Sequence, residues 1–286
     1  MKSKGYSLSE LCKVLEVSRS GLYAHAAKPY RPRRHKDHLL ATQIGALFAQ
    51  SRATYGTRRI QISLSRQGQA HGRRRISRLM ASIGLRPKQK RRFNPRTTNS
   101  RHGHPIAPNH LRALEQPLRN TPGTAWVSDI TYIQTHEGWL YLAAEMDLAS
   151  RRIVGWMTSD SLDASLVEDA FKRAARWRKL PQLHHSDRGC QYAADSFRSL
   201  LRIHRVQPSM SRKANCYDNA AMESFWATLK AECFGRYVPA TRQEANRMIF
   251  DYIESFYNTR RLHSSLGYLS PADFEQSFTS TTILIN

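Results

Sequence analysis

The stretch Trp126-Val-Ser-Asp-Ile-Thr-Tyr-Ile133 decides the fold, because its aromatic and β-branched side chains are those of a buried strand. The turn His136-Glu-Gly138 separates it from a second run of the same kind, Trp139 to Met146. A third run extends from Arg152 to Thr158 after another short turn. Three strands joined by short turns predict an antiparallel meander.

Downstream of the meander, the hydrophobic pattern alternates between helical and strand spacing. It predicts two helices and two short strands in alternation, over about 163–177, 182–185, 195–203 and 206–208, and a later helix over 241–258. The order βββαβαβα is typical of a mixed sheet covered by helices. We therefore expect an α/β protein with a ribonuclease-H-like catalytic core, a mixed five-stranded sheet flanked by helices.

One more helix follows a polar loop in the second half of the chain. Asp218 or Asn219 can cap its first turn, and Gly235 can end it. Glu223 and Lys230 lie seven residues apart, so we place both on the more exposed face beside the buried stripe. That stripe consists of apolar side chains at helical spacing: Met222, Phe225, Trp226, Leu229 and Cys233.

The charge of the chain is concentrated at its front. The whole sequence carries a net charge of +23. Residues 1–110 hold 24 Lys and Arg against 3 Asp and Glu, whereas residues 111–286 hold 21 against 19. A polycationic front attached to a nearly neutral domain predicts a polyanionic partner, with nucleic acid first. A basic arm that is merely soluble is the alternative.

Cysteine usage and hydropathy exclude several other classes of protein. The four cysteines are scattered without a Cys-x-x-Cys pair, so neither a zinc site nor a disulfide framework is predicted. No apolar run approaches about 18 residues, and the start is polar without a signal-peptide core. We expect a reduced, soluble, intracellular protein with no membrane partner.

Two short helices open the basic front. Ser7-Leu-Ser-Glu10 is a capping box that begins the first, and Ser18 can cap the second. Two helices joined by a tight turn match a helix-turn-helix. The same pattern is typical of structural or dimerising hairpins, so the sequence leaves open whether this unit binds DNA or protein.

A basic three-helix unit follows, with helices predicted over about 39–50, 55–66 and 73–82. No acidic residue lies between Arg52 and Arg101, and unpaired charge on that scale favours phosphate contact over a merely solvated surface. The buried stripe of the third helix consists of Ile76, Leu79, Met80 and Ile83. The candidate DNA-binding residues are Arg58, Arg59, Arg73, Arg74, Arg75 and Arg78, joined by Arg188 and Lys230.

These changes in composition predict the domain organisation. The predicted units are a helix-turn-helix-like unit over 1–30, a basic helical DNA-binding domain over 31–92, a basic linker over 93–120, the catalytic core with its C-terminal helix over 121–275 and a tail over 276–286. The linker is basic and punctuated by proline, and it is long for a loop in a compact domain.

Three carboxylates stand out by position. Asp129 lies among strong strand formers, where Asp is depleted. Asp187 directly follows a predicted strand, and Glu223 lies early in its helix. In the expected fold the first strand is central, the fourth is its neighbour and the Glu223 helix packs across their ends. The three side chains can therefore converge.

Each acid also has an ordinary structural interpretation. Asp187 in Ser-Asp-Arg-Gly fits a turn, and Glu223 suits the positive end of a helix. Asp129 is the hardest to explain in this way, because an unpaired carboxylate is costly when buried. Glu145 and Asp147 are set aside, since they lead into a turn.

Convergent carboxylates supply the hard oxygen ligands that divalent cations prefer. Two such cations about 3.5–4 Å apart can stabilise both the attacking and the leaving oxygen of a phosphoryl displacement. Lys230 on the Glu223 face would neutralise a nearby phosphate, or else be an exposed helix lysine.

The motifs around these acids resemble those of the DDE transposase and retroviral integrase superfamily. The chain is most similar to the second-frame (OrfB-type) proteins of the insertion-sequence-three family of bacterial transposases, and most of its length is covered. Asp187 and Glu223 are separated by 35 residues, and Lys230 follows seven residues later. The matching segments are Trp126-x-x-Asp-Ile-Thr-Tyr132, His185-Ser-Asp-Arg-Gly-x-Gln-Tyr192, Asp218-Asn-Ala-x-x-Glu-Ser-Phe-x-x-x-Leu-Lys230, Tyr55-Gly-Thr-Arg-Arg-Ile60 and Tyr257-Asn-x-x-Arg-x-His-Ser-x-Leu-Gly-Tyr-x-Ser-Pro271.

The resemblance implies a function and its participants. Asp129, Asp187 and Glu223 would be the catalytic residues and the ligands of two Mg²⁺ ions, with Mn²⁺ able to substitute. The reaction would be nicking at an element end, followed by attack of the 3′-hydroxyl on another phosphodiester. The partners would be double-stranded DNA of the terminal inverted repeats and of the target. The family further implies a homo-oligomer on paired ends in the bacterial cytoplasm, associated with the nucleoid.

The family also implies an upstream-frame (OrfA-type) protein, often joined to this part as a frameshift fusion. No heptad run opens this chain, so it is open whether it works with such a partner or without it. Cys190, Ala214 and Leu262 stand where Ser, Gly and Pro are common. None of these departures removes a carboxylate, so activity is the expectation. The alternatives are a non-catalytic DNA-binding accessory or repressor derived from a transposase, and a nuclease that cuts without joining.

Overall fold

A five-stranded sheet lies at the centre of the computed structural model, which describes residues 7–27, 32–88, 105–212 and 219–285. Its strands are β1 Ala125–Thr135, β2 Gly138–Asp147, β3 Ile153–Ser159, β4 Leu183–Ser186 and β5 Gln207–Met210. They lie side by side in the order β3-β2-β1-β4-β5. The first three pair antiparallel as a meander, whereas β4 pairs parallel with both β1 and β5. This mixed sheet confirms the predicted ribonuclease-H-like fold.

Helices cover both faces of the sheet and build the front of the chain. In chain order they are α1 Leu8–Val14, α2 Arg19–Ala27, α3 Pro32–Gln50, α4 Thr57–Arg66, α5 Arg73–Ser82, α6 Gln116–Arg119, α7 Ala164–Trp177, α8 Cys190–Ala193, α9 Asp195–Ile203, α10 Ala220–Leu229, α11 Arg242–Phe250 and α12 Pro271–Ile285. Side chains of α7, α8 and α9 pack with Trp126 on one face of β1. Those of α10 and α11 pack with Val127 on the other face. The helices α6, α8 and α12 were not predicted; α6 lies within the predicted linker, and α12 extends through most of the predicted tail.

The helix that carries Glu223 has the predicted core face. Met222, Phe225, Trp226 and Leu229 are buried against the sheet. Burial of each aromatic ring contributes roughly 2–3 kcal/mol to folding. A π-helical turn, Lys230–Phe234, extends α10, and Gly235 ends it in a positive-φ conformation of +62°. The predicted helix over 241–258 is likewise α11 followed by a π-helical segment, Asp251–Tyr257.

The front of the chain forms the predicted helices with two differences: α3 begins at Pro32 rather than near residue 39, and one side chain was assigned the wrong burial. The Ser7 side chain and the Glu10 carboxylate each bond the other residue's backbone N–H, as a capping box requires. Helices α3, α4 and α5 pack as a bundle around a core that includes Ile76, Leu79 and Met80. Ile83 was assigned to the same stripe, but it is 42% exposed because α5 ends before it.

The α3–α5 bundle packs against the part of the chain that follows α11. The Tyr55 hydroxyl donates to the Arg260 carbonyl and accepts from the Leu262 N–H, both at 2.9 Å. Arg52 forms an ion pair with Asp251 at 2.8 Å. One apolar cluster contains residues of the α3–α5 bundle and of the sheet with its helices. The domain boundaries that composition predicts therefore stay predictions. Within the described ranges, no helix is long and apolar enough to cross a membrane.

Candidate active site

Asp129 lies near the middle of the central strand and points toward α10. One of its carboxylate oxygens accepts a hydrogen bond from the Trp226 indole N–H at 2.9 Å. The other accepts from the backbone N–H of Ile130, also at 2.9 Å. Because Trp226 is three residues beyond Glu223, this bond attaches the Glu223 helix directly to the carboxylate of β1.

Asp187 comes directly after β4 and continues its line beside β1. The parallel register pairs Val127 with His185, so continuation by two residues brings Asp187 alongside Asp129. Neighbouring strands lie about 4.8 Å apart, which puts the two carboxylates within reach of a shared ion. The Gly189 N–H donates to the Asp187 carboxylate at 2.9 Å. A Cβ at Gly189 would lie 3.0 Å from that carboxylate oxygen, so glycine permits this close turn.

The electrostatics of this pair favour a cation. Burial, and after it the negative charge of Asp187, raise the pKa of Asp129 to about 8. The hydrogen bonds from Ile130 and Trp226 act in the opposite direction but do not cancel the effect. Two carboxylates that repel one another in a partly dry site need either a proton or a positive ion between them.

Glu223 lies on the rim of this pair and is the most exposed of the three acids. It belongs to the first turn of α10, and partial burial raises its pKa. Its charge also contributes to the raised pKa of Asp129, after that of Asp187. Among the residues that the structure describes, no group of three His, Cys, Asp or Glu side chains is close enough to hold a metal ion. Glu223 therefore stays a predicted ligand rather than one already placed.

Lys230 lies close enough to Asp129 for the carboxylate charge to act on it. Burial lowers the pKa of Lys230, and the nearby Asp129 partly offsets that effect. Lys230 is half-buried and begins the π-helical turn, directly after the α-helical stretch that carries Glu223. A cation beside the carboxylates suits a phosphate-bearing substrate.

The predicted DNA-binding arginines fall into two groups. Arg58, Arg73 and Arg74 are exposed on the α3–α5 bundle. Arg75 and Arg78 instead form ion pairs with Asp37 of α3, both at 2.7 Å. The interpretation that the charge of this unit is unpaired was wrong for these two, because their acid comes from an earlier helix.

Two further arginines of the predicted set are also engaged within the protein. The guanidinium group of Arg59 lies over the Tyr55 ring, 5.5 Å from its centre. Arg188 donates from Nε to the Ser211 carbonyl at 2.7 Å, so it ties the Asp187 turn to the end of β5.

A buried cluster around Glu232 was missed by the sequence analysis. Arg261 donates two hydrogen bonds to the Glu232 carboxylate at 2.7 Å each, and the Tyr252 hydroxyl donates a third at 2.8 Å. Burial lowers the pKa of Arg261, but the bonds and charge of Glu232 outweigh burial and leave that pKa raised. No sequence pattern predicts this cluster, because its residues come together only in the folded chain.

Comparison with known proteins gives concordant results. Residues 119–216 and 204–271 each match an integrase core domain, and residues 34–93 match an HTH-like domain. The chain is 43% identical to the uncharacterized 31 kDa protein of insertion element IS600 from Shigella sonnei, over 94% of this chain and 98% of that protein. It is 38% identical to the transposase InsF of insertion sequence IS3A from Escherichia coli K12, over 94% of each chain.

Two of the solved structures that align with this chain are retroviral. A chain of the simian T-cell lymphotropic virus intasome, in complex with a PP2A regulatory subunit, aligns with a TM-score of 0.47 and 14% identity. That alignment covers 75% of this chain and 70% of the viral one. The HTLV-2 integrase catalytic core domain in complex with magnesium aligns with a TM-score of 0.43 and 13% identity, over 54% of this chain and 97% of that domain.

Proposed function

The chain belongs to the IS3 family of transposases, and from that premise we propose that Asp129, Asp187 and Glu223 carry its DNA cleavage and strand transfer. The protein is a DNA transposase with an integrase core, a polynucleotidyl transferase. The observation that supports the site is that Asp187 directly follows the strand paired with β1 and its charge raises the pKa of Asp129, to which α10 is attached through Trp226. Glu223 is the carboxylate that α10 itself contains, and its side chain is exposed.

The donor set fits divalent metal ions. The repulsion that raises the pKa of Asp129 is relieved by a hard cation as well as by a proton, and carboxylate oxygens are ligands that Mg²⁺ prefers. Asp129 and Asp187 would hold the first Mg²⁺, and Glu223 would complete a site for two, with Mn²⁺ as a substitute. Bound there, the ions would supply Lewis-acid activation of the attacking oxygen and charge stabilisation of the leaving one.

The side chains of the protein orient the reacting strand. Asp129 is held by two hydrogen bonds, so its position is set before DNA arrives. Lys230 contributes positive charge where non-bridging phosphate oxygens would lie. In the first step water attacks the phosphodiester at the element end, and the P–O3′ bond breaks to leave a 3′-hydroxyl. In the second step that hydroxyl attacks a target phosphodiester, and the target's own P–O3′ bond breaks.

DNA binding is assigned to the exposed arginines of the α3–α5 bundle. Arg58, Arg73 and Arg74 face outward in the segment that matches an HTH-like domain. The substrates are the terminal inverted repeats and the target DNA, held by a homo-oligomer on paired ends at the nucleoid. An upstream-frame protein is a further partner in this proposal.

The test is incubation of the protein with duplex DNA of its own element ends and Mg²⁺. Joined products are expected; nicks without joining would indicate a nuclease, and binding without cleavage an accessory DNA-binding protein. The Asp187→Asn protein should bind the same DNA and neither nick nor join it. Wild-type rates from that variant would overturn the assignment of the site.

A further inference from the structure

A cleft beside the start of α10 has no role in the chemistry described so far. Its volume is about 490 Å³, and its walls come from the turn after β2, from α6, from the first residues of α10 and from the segment before and within α12. Val127 forms part of its floor and packs on the same face of β1 from which Asp129 points. A strand rises by about 3.3 Å per residue, so the cleft begins roughly 7 Å from the Asp129 position.

Two arginines enter this cleft without an acidic partner. Arg119 ends α6 and Arg151 lies in the turn after β2, and both line the cleft and are half-buried. Among the described residues, neither guanidinium group has a carboxylate within 4.0 Å or a side-chain hydrogen bond, whereas Arg152 beside them binds Glu275 at 2.8 Å. Burial lowers the pKa of Arg151, and the charge of Arg119 does so to a smaller degree, whereas Tyr257 and Asp147 act in the opposite direction.

Asn219 also lines the cleft, and its side chain contains an unsatisfied acceptor. Its side chain is 8% exposed, and its amide N–H₂ donates to the Ser128 carbonyl at 3.2 Å. Its Oδ1 atom is buried and accepts no hydrogen bond from the described part of the chain. Although Asn219 occupies the N-cap position of α10, its side chain does not cap the helix. The first N–H groups of a ten-residue helix thus face the cleft with their positive end.

These groups together match a nucleotide better than a simple anion. Two guanidinium groups and a helix N-terminus are suited to phosphate oxygens. The amide oxygen requires an N–H or O–H donor, which a base supplies through its amino group and a phosphodiester lacks. Asn219 also lies one helical turn before Glu223, so a ligand here adjoins the predicted metal site.

We propose that this cleft holds a nucleotide next to the cleavage point, with Arg119 and Arg151 on its backbone phosphate and Asn219 Oδ1 accepting from its base. The proposal rests on the proposed function, because it assumes that the scissile phosphate lies at the three carboxylates. A DNA strand rises by about 3.4 Å per nucleotide, so the phosphate concerned lies about one to three nucleotides from the scissile one.

The test combines paired arginine variants with single neutral phosphates. The probe is duplex DNA of the terminal repeat, carrying one methylphosphonate at a time near the cleavage point, and its Kd is measured by fluorescence anisotropy at fixed salt. The Arg119→Gln/Arg151→Gln protein should bind unmodified DNA about tenfold more weakly. At one phosphate, the methylphosphonate should weaken wild-type binding and leave this variant's binding unchanged.

The matched control is Arg176→Gln/Arg202→Gln, which removes the same charge from exposed positions on α7 and α9, over the opposite face of the sheet. It should retain the methylphosphonate penalty at every position. The proposal is overturned if the first variant retains that penalty at every position as well. It is also overturned if the first variant melts well below wild type, since the arginines would then hold the fold.

Failure of the proposed function is distinguishable from failure of this inference. Binding is measured without Mg²⁺, and the Asp187→Asn protein should show the same pattern of phosphate penalties. If wild type never cleaves but one phosphate penalty depends on Arg119 and Arg151, the cleft assignment stands and the catalytic assignment fails.

Discussion

Glu223 and Glu232 lie nine residues apart on one continuous helical run, yet the protein treats them in opposite ways. Glu232 is 7% exposed, and its carboxylate accepts three hydrogen bonds from Arg261 and Tyr252. Glu223 is exposed at the rim of a site where two other carboxylates already repel each other. Glu232 is satisfied within the chain, whereas Glu223 stays exposed and accessible to a ligand.

The same contrast recurs along the central sheet. Glu145 is buried and bonds the Ser128 hydroxyl and the His184 ring, both at 2.9 Å. Asp129, the residue after Ser128 on the opposite face, accepts two hydrogen bonds, but its pKa stays raised. A carboxylate with saturated partners stabilises the fold, and one with residual repulsion is available for a cation. Four predictions test this distinction.

The largest expected effect is on catalysis at Glu223. The Glu223→Gln protein should lose roughly a thousandfold or more in cleavage rate, because a ligand charge is removed while the shape is kept. Its free energy of unfolding should stay within about 0.5 kcal/mol of wild type, since the side chain is exposed. Cleavage assays and urea unfolding measure the two quantities. Near wild-type cleavage would contradict the assignment of Glu223.

Next in size is the loss of stability at Glu232. The Glu232→Gln protein should unfold about 3–5 kcal/mol more easily, because Arg261 would be left as a buried and unpaired charge. Urea unfolding with tryptophan fluorescence gives the value. The comparison with Glu223 fails if the two Gln variants are equally stable.

A smaller effect is expected on the pH dependence of the thermal midpoint and on its response to Mg²⁺. Since the pKa of Asp129 in the folded state lies above its ordinary value, the protonated carboxyl favours folding, and this contribution is lost as the pH rises from about 4 to about 8. Without metal, the thermal midpoint should therefore fall over this range. Mg²⁺ should raise the midpoint more at about pH 8.5 than at about pH 5.5, because binding displaces the proton.

The Asp129→Asn protein serves as the control for that experiment. It should lose both the pH-dependent term and the pH-dependent response to Mg²⁺. An unchanged pH profile in this variant would show that another group is responsible.

The smallest effect is expected at the surface of the α3–α5 bundle. Arg74→Gln should reduce the slope of log K against log salt for DNA binding by about 1, as expected for loss of one phosphate contact. Arg75→Gln should change the slope less, because that guanidinium group is paired with Asp37. Titrations at several salt concentrations compare the two, and equal changes would remove the distinction between open and satisfied arginines.

Much of the fold was predictable from local pattern. The β-branched and aromatic run around Asp129 predicted β1, and the helical spacing of Met222, Phe225 and Trp226 predicted the buried face of α10. Predictions of burial were wrong where a helix ends before the hydrophobic pattern does. Ile83 continues the periodicity of α5 but lies at its C-terminal cap, so its side chain is not covered. The π-helical turns also escaped prediction, because a single extra residue in a turn leaves no mark in the hydrophobic pattern.

The sequence by itself determined the positions of the strands, the helix that carries Glu223, the identity of the candidate acids and the basic character of the front. These depend on backbone geometry and side-chain periodicity, which act over a few residues. Only the tertiary structure decided which charges are neutralised internally. Asp37 meets Arg75 across 38 residues, and Glu232 meets Arg261 across 29, whereas Arg119 and Arg151 line one cleft and, among the described residues, form no ion pair. Coulomb energy depends on the distance between charges in space and on their burial, and the order of residues in the sequence gives neither.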